Sequence, residues 1–187
     1  MAYSIASPPP YAHNSQKKGA PPMSELQALQ AEIRELKDRQ AILELKHRYL
    51  DACDAKRPGE VLDCFASGDV DIDYGHIGQF RRREDFVAVF EELGCHDHIV
   101  DLHHAQNPVI TLTGPDSAEA RIGLHFHSLN TRDKTAFQLA GQYRDAYRRI
   151  DGEWRIVRSH FKPHWVEIRD FSGDADVVTY AGNCMPG

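Results

Sequence analysis

The sequence lacks any apolar run of the roughly 20 residues that a membrane-spanning helix requires. It also lacks the long apolar segment of a secretion signal, because its first 22 residues are rich in proline, alanine, serine and lysine. Its four cysteines form no Cys-x-x-Cys pair, which favours reduced thiols over a disulfide framework or a zinc site. We therefore expect a cytoplasmic protein with no membrane partner. The cysteines are Cys53, Cys64, Cys95 and Cys184.

An excess of positive charge is also missing. The 22 Lys and Arg residues are outnumbered by 28 Asp and Glu residues, and the net charge of −6 argues against nucleic acid as a partner. The chain contains no GxGxxG sequence, no Walker loop and no HExxH sequence. The familiar nucleotide-binding loops and the zinc-protease motif are therefore excluded.

Histidine, by contrast, is abundant. The chain has 11 histidines, and eight of them lie between His96 and His164. Imidazole is suited both to acid–base catalysis near neutral pH and to metal binding. The remaining composition, 41% apolar and 27% charged over 187 residues, is that of one ordinary globular domain.

The pattern along the chain divides it into four parts. Residues 1–22 have the composition of a disordered leader. A helical arm over 23–38 carries leucine and isoleucine at heptad spacing, which Gln40 interrupts. The globular domain spans 39–170, and 171–187 form a C-terminal tail.

Within the domain, helices precede strands. The first core helix ends near Pro58 and Gly59, and two further helices are predicted over 60–66 and 82–94. A short strand over 69–75 lies between them, and turn signals separate four long alternating strands. This order predicts an α+β fold, a cone-shaped roll whose curved, mostly antiparallel sheet wraps around the N-terminal helices. The long strands cover 101–114, 117–130, 135–151 and 152–168.

Two adjacent histidines begin the first long strand. Because neighbouring residues on a strand point to opposite faces, His103 and His104 cannot both face the interior. His103 shares its face with Asp101, and His104 shares the other face with Leu102. Alternation alone leaves both orientations open.

Asp54 and Tyr49 lie near the end of the first core helix. A carboxylate at a helix C-terminus opposes the helix dipole, so Asp54 is either exposed or held there for a cationic partner such as histidine. Tyr49 lies on the apolar stripe, where it either packs in the core or borders a pocket with its hydroxyl.

Three segments together resemble the SnoaL-like branch of the nuclear transport factor 2-like superfamily, whose fold is also called cystatin-like. They are AILELKHRYLDACDAKRPGEVLDCFASGDVDIDYGHIGQF, DLHHAQNPVITL and GQYRDAYRRIDGEWRI, and the resemblance covers about residues 38–165. Within this branch the chain is similar to the group of hexachlorocyclohexane dehydrochlorinase and bile-acid 7α-dehydratase, and more distantly to scytalone dehydratase.

The resemblance implies a set of roles. It implies that His103 is the catalytic base, that Asp54 orients and charges it, and that Tyr49 is a hydrogen-bond donor to the substrate. His104 would then face away from the pocket. The resemblance further implies a substrate-binding set of Tyr143, Leu139, Ile72, Phe80 and Asn107.

One position departs from the dehydrochlorinase pattern. An arginine follows the DGxW element in that enzyme, whereas the corresponding residue here is Ser159, flanked by Arg158 and His160. The flanking arginine points to the opposite strand face unless a bulge shifts it. Loss of chloride is therefore not the favoured reaction.

The leading hypothesis is a cofactor-independent lyase of the dehydratase type, binding no metal and acting on a mid-sized, largely apolar steroid, polyketide or aromatic metabolite. In one alternative, Asp54 is the base of a ketosteroid-isomerase-like enzyme or a polyketide cyclase. In another, His125 and His127 bind a metal. In a third, the domain is a non-catalytic binding or assembly subunit. The resemblance also implies a homo-oligomer, with a trimer favoured over a dimer.

Overall fold

A single long helix forms the N-terminal part of the structure, a computed structural model that describes residues 24–186. Helix α1 runs Glu25–Asp54 without interruption at Gln40, so the predicted arm and the first core helix are one element. Ser24 caps it, since the Ser24 hydroxyl accepts a hydrogen bond from the Gln27 amide and the Gln27 side chain accepts one from the Ser24 amide. The predicted disordered leader, 1–22, lies outside the described residues.

The remaining elements form two shorter helices and one sheet. The helices are α2 (Pro58–Cys64) and α3 (Arg83–Gly94). The strands are β1 (Asp69–Asp73), β2 (Gln79–Arg82), β3 (Ile99–Gly114), β4 (Ser117–Asn130), β5 (Thr135–Ile150), β6 (Glu153–Asp170) and β7 (Val177–Gly182).

The strands are ordered β2-β1-β6-β5-β4-β3, and β7 also pairs with β6. Strand β1 runs parallel to β6, whereas the other paired strands are antiparallel. The helices at the N-terminus and the curved, mostly antiparallel sheet confirm the predicted α+β roll.

The core lies between the three helices and the inner face of the sheet. Helix α1 buries one stripe because its apolar residues recur at steps of three and four, as at Ile42, Leu45 and Tyr49. Strand β4 contributes alternate residues, such as Ile122 and Leu124, as expected of a strand that is covered on one face. The packing fixes the C-terminal end of α1 against the first half of β3, where the candidate site lies.

Two strands were not predicted. Strand β2, with the sequence QFRR, has too few apolar residues for an alternation to be visible. Strand β7 lies in the predicted tail, 171–187, and pairs with the outer part of β6. Both strands form because a neighbouring strand pairs with them, although their own sequences show no strand pattern.

Candidate functional site

Asp54 and His103 form a hydrogen-bonded pair between the last residue of α1 and strand β3. His103 Nδ1 lies 2.5 Å from Asp54 Oδ1, and the His103 amide donates to Asp54 Oδ2 at 3.0 Å. Both carboxylate oxygens are therefore engaged by the same residue, which holds the imidazole in one orientation. The two side chains are partly buried, at 15% and 21% exposure.

The alternation of β3 is resolved by its packing. Asp101 and His103 face a cavity inside the roll. Leu102 and His104 are exposed on the outer face of the sheet. His103 faces inward because its face of β3 is the one that packs against the end of α1, whereas the opposite face is exposed.

The cavity has a volume of about 360 Å³ and lies between the end of α1, helix α3 and the inner face of the sheet. Most of its wall is apolar. Such a space suits a mid-sized apolar ligand, and a ligand that fills it displaces water from the His103 imidazole. The apolar wall includes Val89, Phe90 and Leu93 from α3, and Phe126, Phe137 and Leu139 from the sheet.

A chain of hydroxyl groups leads from the cavity into the core. The hydroxyls of Tyr49 and Tyr74 are 3.0 Å apart, and Tyr74 donates to Ser159 Oγ at 2.9 Å. Ser159 in turn donates to Asp145 Oδ1 at 2.8 Å. Tyr49 is thereby held at the cavity wall by a network rather than by packing alone.

The network ends at a buried ion pair. Lys46 Nζ lies 3.0 Å from Asp145 Oδ2, and neither side chain is exposed. Tyr147 also donates to Asp145, at 2.9 Å, and Lys46 Nζ lies 3.3 Å from the centroid of the Tyr143 ring. Burial lowers the pKa of Lys46, and the charge of Asp145 opposes that shift.

Tyr49 is a neutral hydroxyl under ordinary conditions. Burial, followed by the proximity of Tyr74, raises the pKa of Tyr49 well above its usual range. Loss of its proton is therefore unfavourable, and Tyr49 can act on a ligand through hydrogen bonding without becoming a phenolate.

The structure brings together some, but not all, of the predicted site residues. Tyr143 and Leu139 line the cavity with Tyr49 and His103. The remaining three predicted substrate-binding residues do not line it.

Ile72 and Phe80 belong to the core behind the wall. Ile72 is 1% exposed within β1, and the Phe80 ring packs on Phe86 with 5.7 Å between ring centroids. Phe86 therefore presents the surface to the cavity that was predicted for Phe80.

Asn107 is exposed, which corrects its predicted place in the pocket. It lies in the irregular part of β3 between Gln106 and Val109, with a left-handed backbone (φ 48°). Such a bulge interrupts the alternation, so the face of Asn107 cannot be inferred by counting from His103.

The position that the resemblance assigns to the dehydrochlorinase arginine is occupied here by Ser159, in a buried environment. Ser159 is fully buried within the hydroxyl chain, and Arg158 pairs with Glu119 at 3.1 Å across the sheet. Among the described residues that line the cavity, none is an arginine.

Three residues of the site were not identified from the sequence. Lys46 interrupts the apolar stripe of α1, which is a visible signal of a buried charge. Tyr74 immediately follows β1, in the alternating segment DVDIDYG. Asp101 was recognised as sharing a strand face with His103, and that face is now shown to line the cavity.

His125 and His127 lie outside this site. Their ring centroids are 4.4 Å apart on β4, and His127 is paired across the sheet with the outward-facing Leu102. Within residues 24–186, no group of three or more His, Cys, Asp or Glu side chains is arranged to hold a metal ion. No helix in the same range is long and apolar enough to cross a membrane.

Comparisons with known proteins agree with this architecture. A structure named "Putative Scytalone Dehydratase", from Novosphingobium aromaticivorans, matches with a TM-score of 0.67 and 21% identity, over 82% of this chain and 97% of that one. A hexachlorocyclohexane dehydrochlorinase from Novosphingobium barchaimii matches with a TM-score of 0.64 and 15% identity, over 83% and 99%.

The family comparison is more specific than these structural similarities. Residues 34–160 match the SnoaL-like domain, which is well over half of the 187 residues. A further solved structure, described as a nuclear transport factor 2-like protein with a cystatin-like fold, matches at 22% identity with a TM-score of 0.62 over 75% of this chain and 90% of that one. The chain therefore belongs to the SnoaL-like domain family.

Proposed function

We propose that this protein is a cofactor-independent lyase that removes water from a mid-sized, largely apolar steroid, polyketide or aromatic metabolite. The observation that carries the proposal is the Asp54–His103 pair at the wall of an apolar cavity. A carboxylate on Nδ1 fixes the imidazole tautomer and stabilises the imidazolium that forms on proton transfer.

His103 is the base in this reaction. Because Asp54 engages Nδ1, the ring nitrogen left for the substrate is Nε2. Nε2 takes a proton from a carbon beside a carbonyl, and the electrons of the broken C–H bond form the new C=C bond. The C–O bond breaks, the oxygen departs with its electron pair, and the imidazolium returns the proton to that oxygen, so that water leaves.

Tyr49 hydrogen-bonds the oxygen on which charge develops, either the carbonyl or the departing hydroxyl. The raised pKa of Tyr49 keeps its proton in place, so this role is electrostatic rather than acid catalysis. Because Tyr74 donates its own proton to Ser159, Tyr49 is the donor to Tyr74 in the free protein, and this chain holds the Tyr49 oxygen in position. When the substrate binds, the Tyr49 proton turns from Tyr74 to the substrate oxygen.

The similar structures support elimination as the reaction class. Their names, scytalone dehydratase and hexachlorocyclohexane dehydrochlorinase, describe the loss of water and of hydrogen chloride. Ser159 stands where the latter resemblance implies an arginine, and Arg158 is committed to Glu119. The cavity therefore offers less to a departing chloride ion than to a neutral water molecule.

The isomerase alternative requires Asp54 to be the base. Both of its oxygens already accept hydrogen bonds from His103, and its side chain is not part of the cavity wall. This geometry favours His103 as the base. A cyclase that uses the same groups differs only in the bond that forms after proton removal.

The test is a screen of hydroxyketones and hydroxysteroids for loss of water, read by mass spectrometry. We expect His103→Ala to abolish turnover, and His104→Ala to leave it intact because His104 is exposed on the outer face. If Asp54→Asn reduces turnover far more than His103→Ala does, Asp54 is the base and the isomerase alternative is correct. A binding or assembly subunit would turn over no compound and would co-purify with a catalytic partner.

We also propose that the chain forms a homo-oligomer, with a trimer favoured over a dimer. Several apolar residues of the outer sheet face are exposed, among them Leu102 at 46% and Trp165 at 38%. An uncovered apolar sheet face is typical of an interface. Light scattering after size-exclusion chromatography gives the mass directly, and a monomer would refute the proposal.

A further inference from the structure

Asp101 is a polar group in an otherwise apolar part of the cavity. It lies two residues before His103 on β3 and faces the same side. Around it the wall is formed by Phe90, Leu93 and Ile99. The proposed elimination requires nothing of Asp101.

The carboxylate is incompletely satisfied. Asp101 Oδ1 is buried against protein atoms and has no hydrogen-bond partner within residues 24–186, so the oxygen left accessible to a ligand is Oδ2. A buried acceptor without a partner is destabilising, and more so when it is charged. Asp54 and Asp145, the other two aspartates of the site, each accept at least two hydrogen bonds.

The surroundings of Asp101 favour a hydrogen-bond donor. A methyl group built on Gly94 would lie 3.9 Å from Asp101 Oδ2, which places the carboxylate beside the C-terminal end of α3. The carbonyl groups at a helix C-terminus carry partial negative charge, which favours the binding of a hydrogen-bond donor such as an O–H group. Ser128, the cross-strand partner of Asp101, adds a hydroxyl to the same part of the wall.

A positive charge is already close by. Lys56 Nζ donates to the carbonyl oxygens of Gly94 and Ile99, at 2.8 and 2.6 Å. These two carbonyl groups therefore already have a donor. The largely apolar wall favours a neutral hydroxyl over a charged amine, because an ammonium group costs more to remove from water.

We propose that Asp101 binds a hydroxyl group at the end of the ligand remote from the reacting carbon. Side chains two residues apart on a strand are separated by about 7 Å, so the second hydroxyl lies roughly that far from the group at His103. This inference rests on the proposed function where it calls the ligand a substrate. It narrows the substrate class to ring systems that carry a hydroxyl group at the far end.

The test uses two probes that differ by one hydroxyl, 2-naphthol and 2,6-dihydroxynaphthalene. Both are fluorescent, so their binding can be titrated directly. We expect the wild-type chain to bind the dihydroxy probe about tenfold more tightly, as one hydrogen bond to a charged acceptor allows. Asp101→Leu should bring the ratio of the two dissociation constants close to one, and Asp101→Asn should give an intermediate ratio.

The matched control is Glu91→Gln, which removes an exposed carboxylate from α3, three residues before Gly94. It should preserve the tenfold ratio, which separates direct binding from long-range charge. Thermal melting of each variant confirms that it is folded. A wild-type ratio near one, or a ratio retained in Asp101→Leu, would overturn the proposal.

The outcome is independent of the lyase proposal. Neither naphthol can lose water by elimination, because their hydroxyl groups are attached to aromatic carbon. Loss of the ratio would refute the Asp101 subsite alone, whereas failure of the hydroxyketone screen would refute the lyase alone.

Discussion

At the scale of single residues, the chemistry of the site depends on which side-chain atoms already have a hydrogen-bond partner within the protein. Asp54 uses both oxygens on His103, one on the backbone amide and one on the ring. The same residue therefore fixes the position of the strand and the tautomer of the imidazole. This double role explains how a carboxylate is retained at the unfavourable end of α1.

Replacing Asp54 by Asn tests the tautomer. An amide group can donate to Nδ1 and so favours the tautomer with its proton on Nε2, which cannot act as the base. We expect kcat on the substrate found by the screen to fall about 10³- to 10⁴-fold, with a small change in KM. Nitrogen-15 NMR of the imidazole should show the change of tautomer directly.

The control for that variant is Asp51→Asn, a carboxylate one turn earlier on the exposed side of α1, where it pairs with Arg57. It should leave both kcat and the imidazole spectrum unchanged. An Asp54→Asn enzyme with normal kcat and normal tautomer would show that the pair is structural only.

The buried pair of Lys46 and Asp145 gives a second prediction. Lys46→Met leaves the Asp145 charge buried without its cation, which should lower the free energy of unfolding by about 3–5 kcal/mol. The double variant Lys46→Met/Asp145→Asn should recover most of this loss, because the amide oxygen of the new side chain still accepts from Ser159 or Tyr147. Urea unfolding of the wild-type chain, of Lys46→Met, of Asp145→Asn and of the double variant measures the coupling, and additive losses would contradict it.

At the scale of elements, two glycines distinguish the effect of close packing in the sheet from the effect of helix propensity. A Cβ on Gly141 would lie 2.4 Å from the carbonyl oxygen of Lys162 and 2.5 Å from the Phe161 ring, where β5 and β6 change register. A Cβ on Gly59, in α2, has no heavy atom within 4 Å. The first glycine is required by close approach of backbone, and the second is not.

We therefore expect Gly141→Ala to destabilise the fold by about 1–3 kcal/mol, as overpacking does. Gly59→Ala should stabilise it by roughly 0.5–1 kcal/mol, because alanine is the better helix residue. Thermal or urea unfolding of both variants provides the comparison. Equal effects at the two positions would show that β5 and β6 can separate at Gly141 without cost.

Sequence patterns predict elements well where burial repeats regularly. The apolar stripe of α1 and the alternation of β4 gave their ends to within a few residues, because one face of each is packed. Strand β7 follows β6 closely in the chain, but it was not predicted because its mostly exposed residues, VVTYAG, show no alternation of apolar and polar types. The prediction for Asn107 failed for a different reason, because a bulge in β3 changes the face on which a residue lies.

The candidate site was predictable in part for related reasons. Alternation restricted the two histidines to opposite faces, and the family resemblance then selected His103. Contacts between distant segments, such as Tyr74 with Ser159 or Lys46 with Asp145, carry no local pattern. They arise only from the fold, which brings α1, β1 and the centre of the sheet together.

At the scale of the whole molecule, four tyrosines are buried in the interior, and three of them line the cavity. Burial is the largest cause of a raised pKa in each of four tyrosines. In the unfolded chain these phenols lose their protons near pH 10, whereas in the folded chain they keep them. The four residues are Tyr49, Tyr74, Tyr143 and Tyr147.

These tyrosines predict a loss of stability in alkali. Above about pH 10 the unfolded chain binds fewer protons than the folded chain, so the free energy of unfolding falls as pH rises. Each tyrosine contributes up to about 1.4 kcal/mol per pH unit. Lys46 acts in the opposite direction, since its pKa is lowered on folding, but its effect ends once the unfolded lysine titrates near pH 10.5.

Urea unfolding at a series of pH values between about 8 and 11 measures this dependence. We expect the free energy of unfolding to decline increasingly steeply above about pH 10. Tyr147→Phe should reduce the slope of this decline by the contribution of one tyrosine. Tyr147 is suited to this comparison because it lies behind Asp145 and not on the cavity wall. A free energy of unfolding that stays constant to pH 11 would mean that the interior admits phenolates, and the hydroxyl chain could then no longer be described as a network of neutral donors.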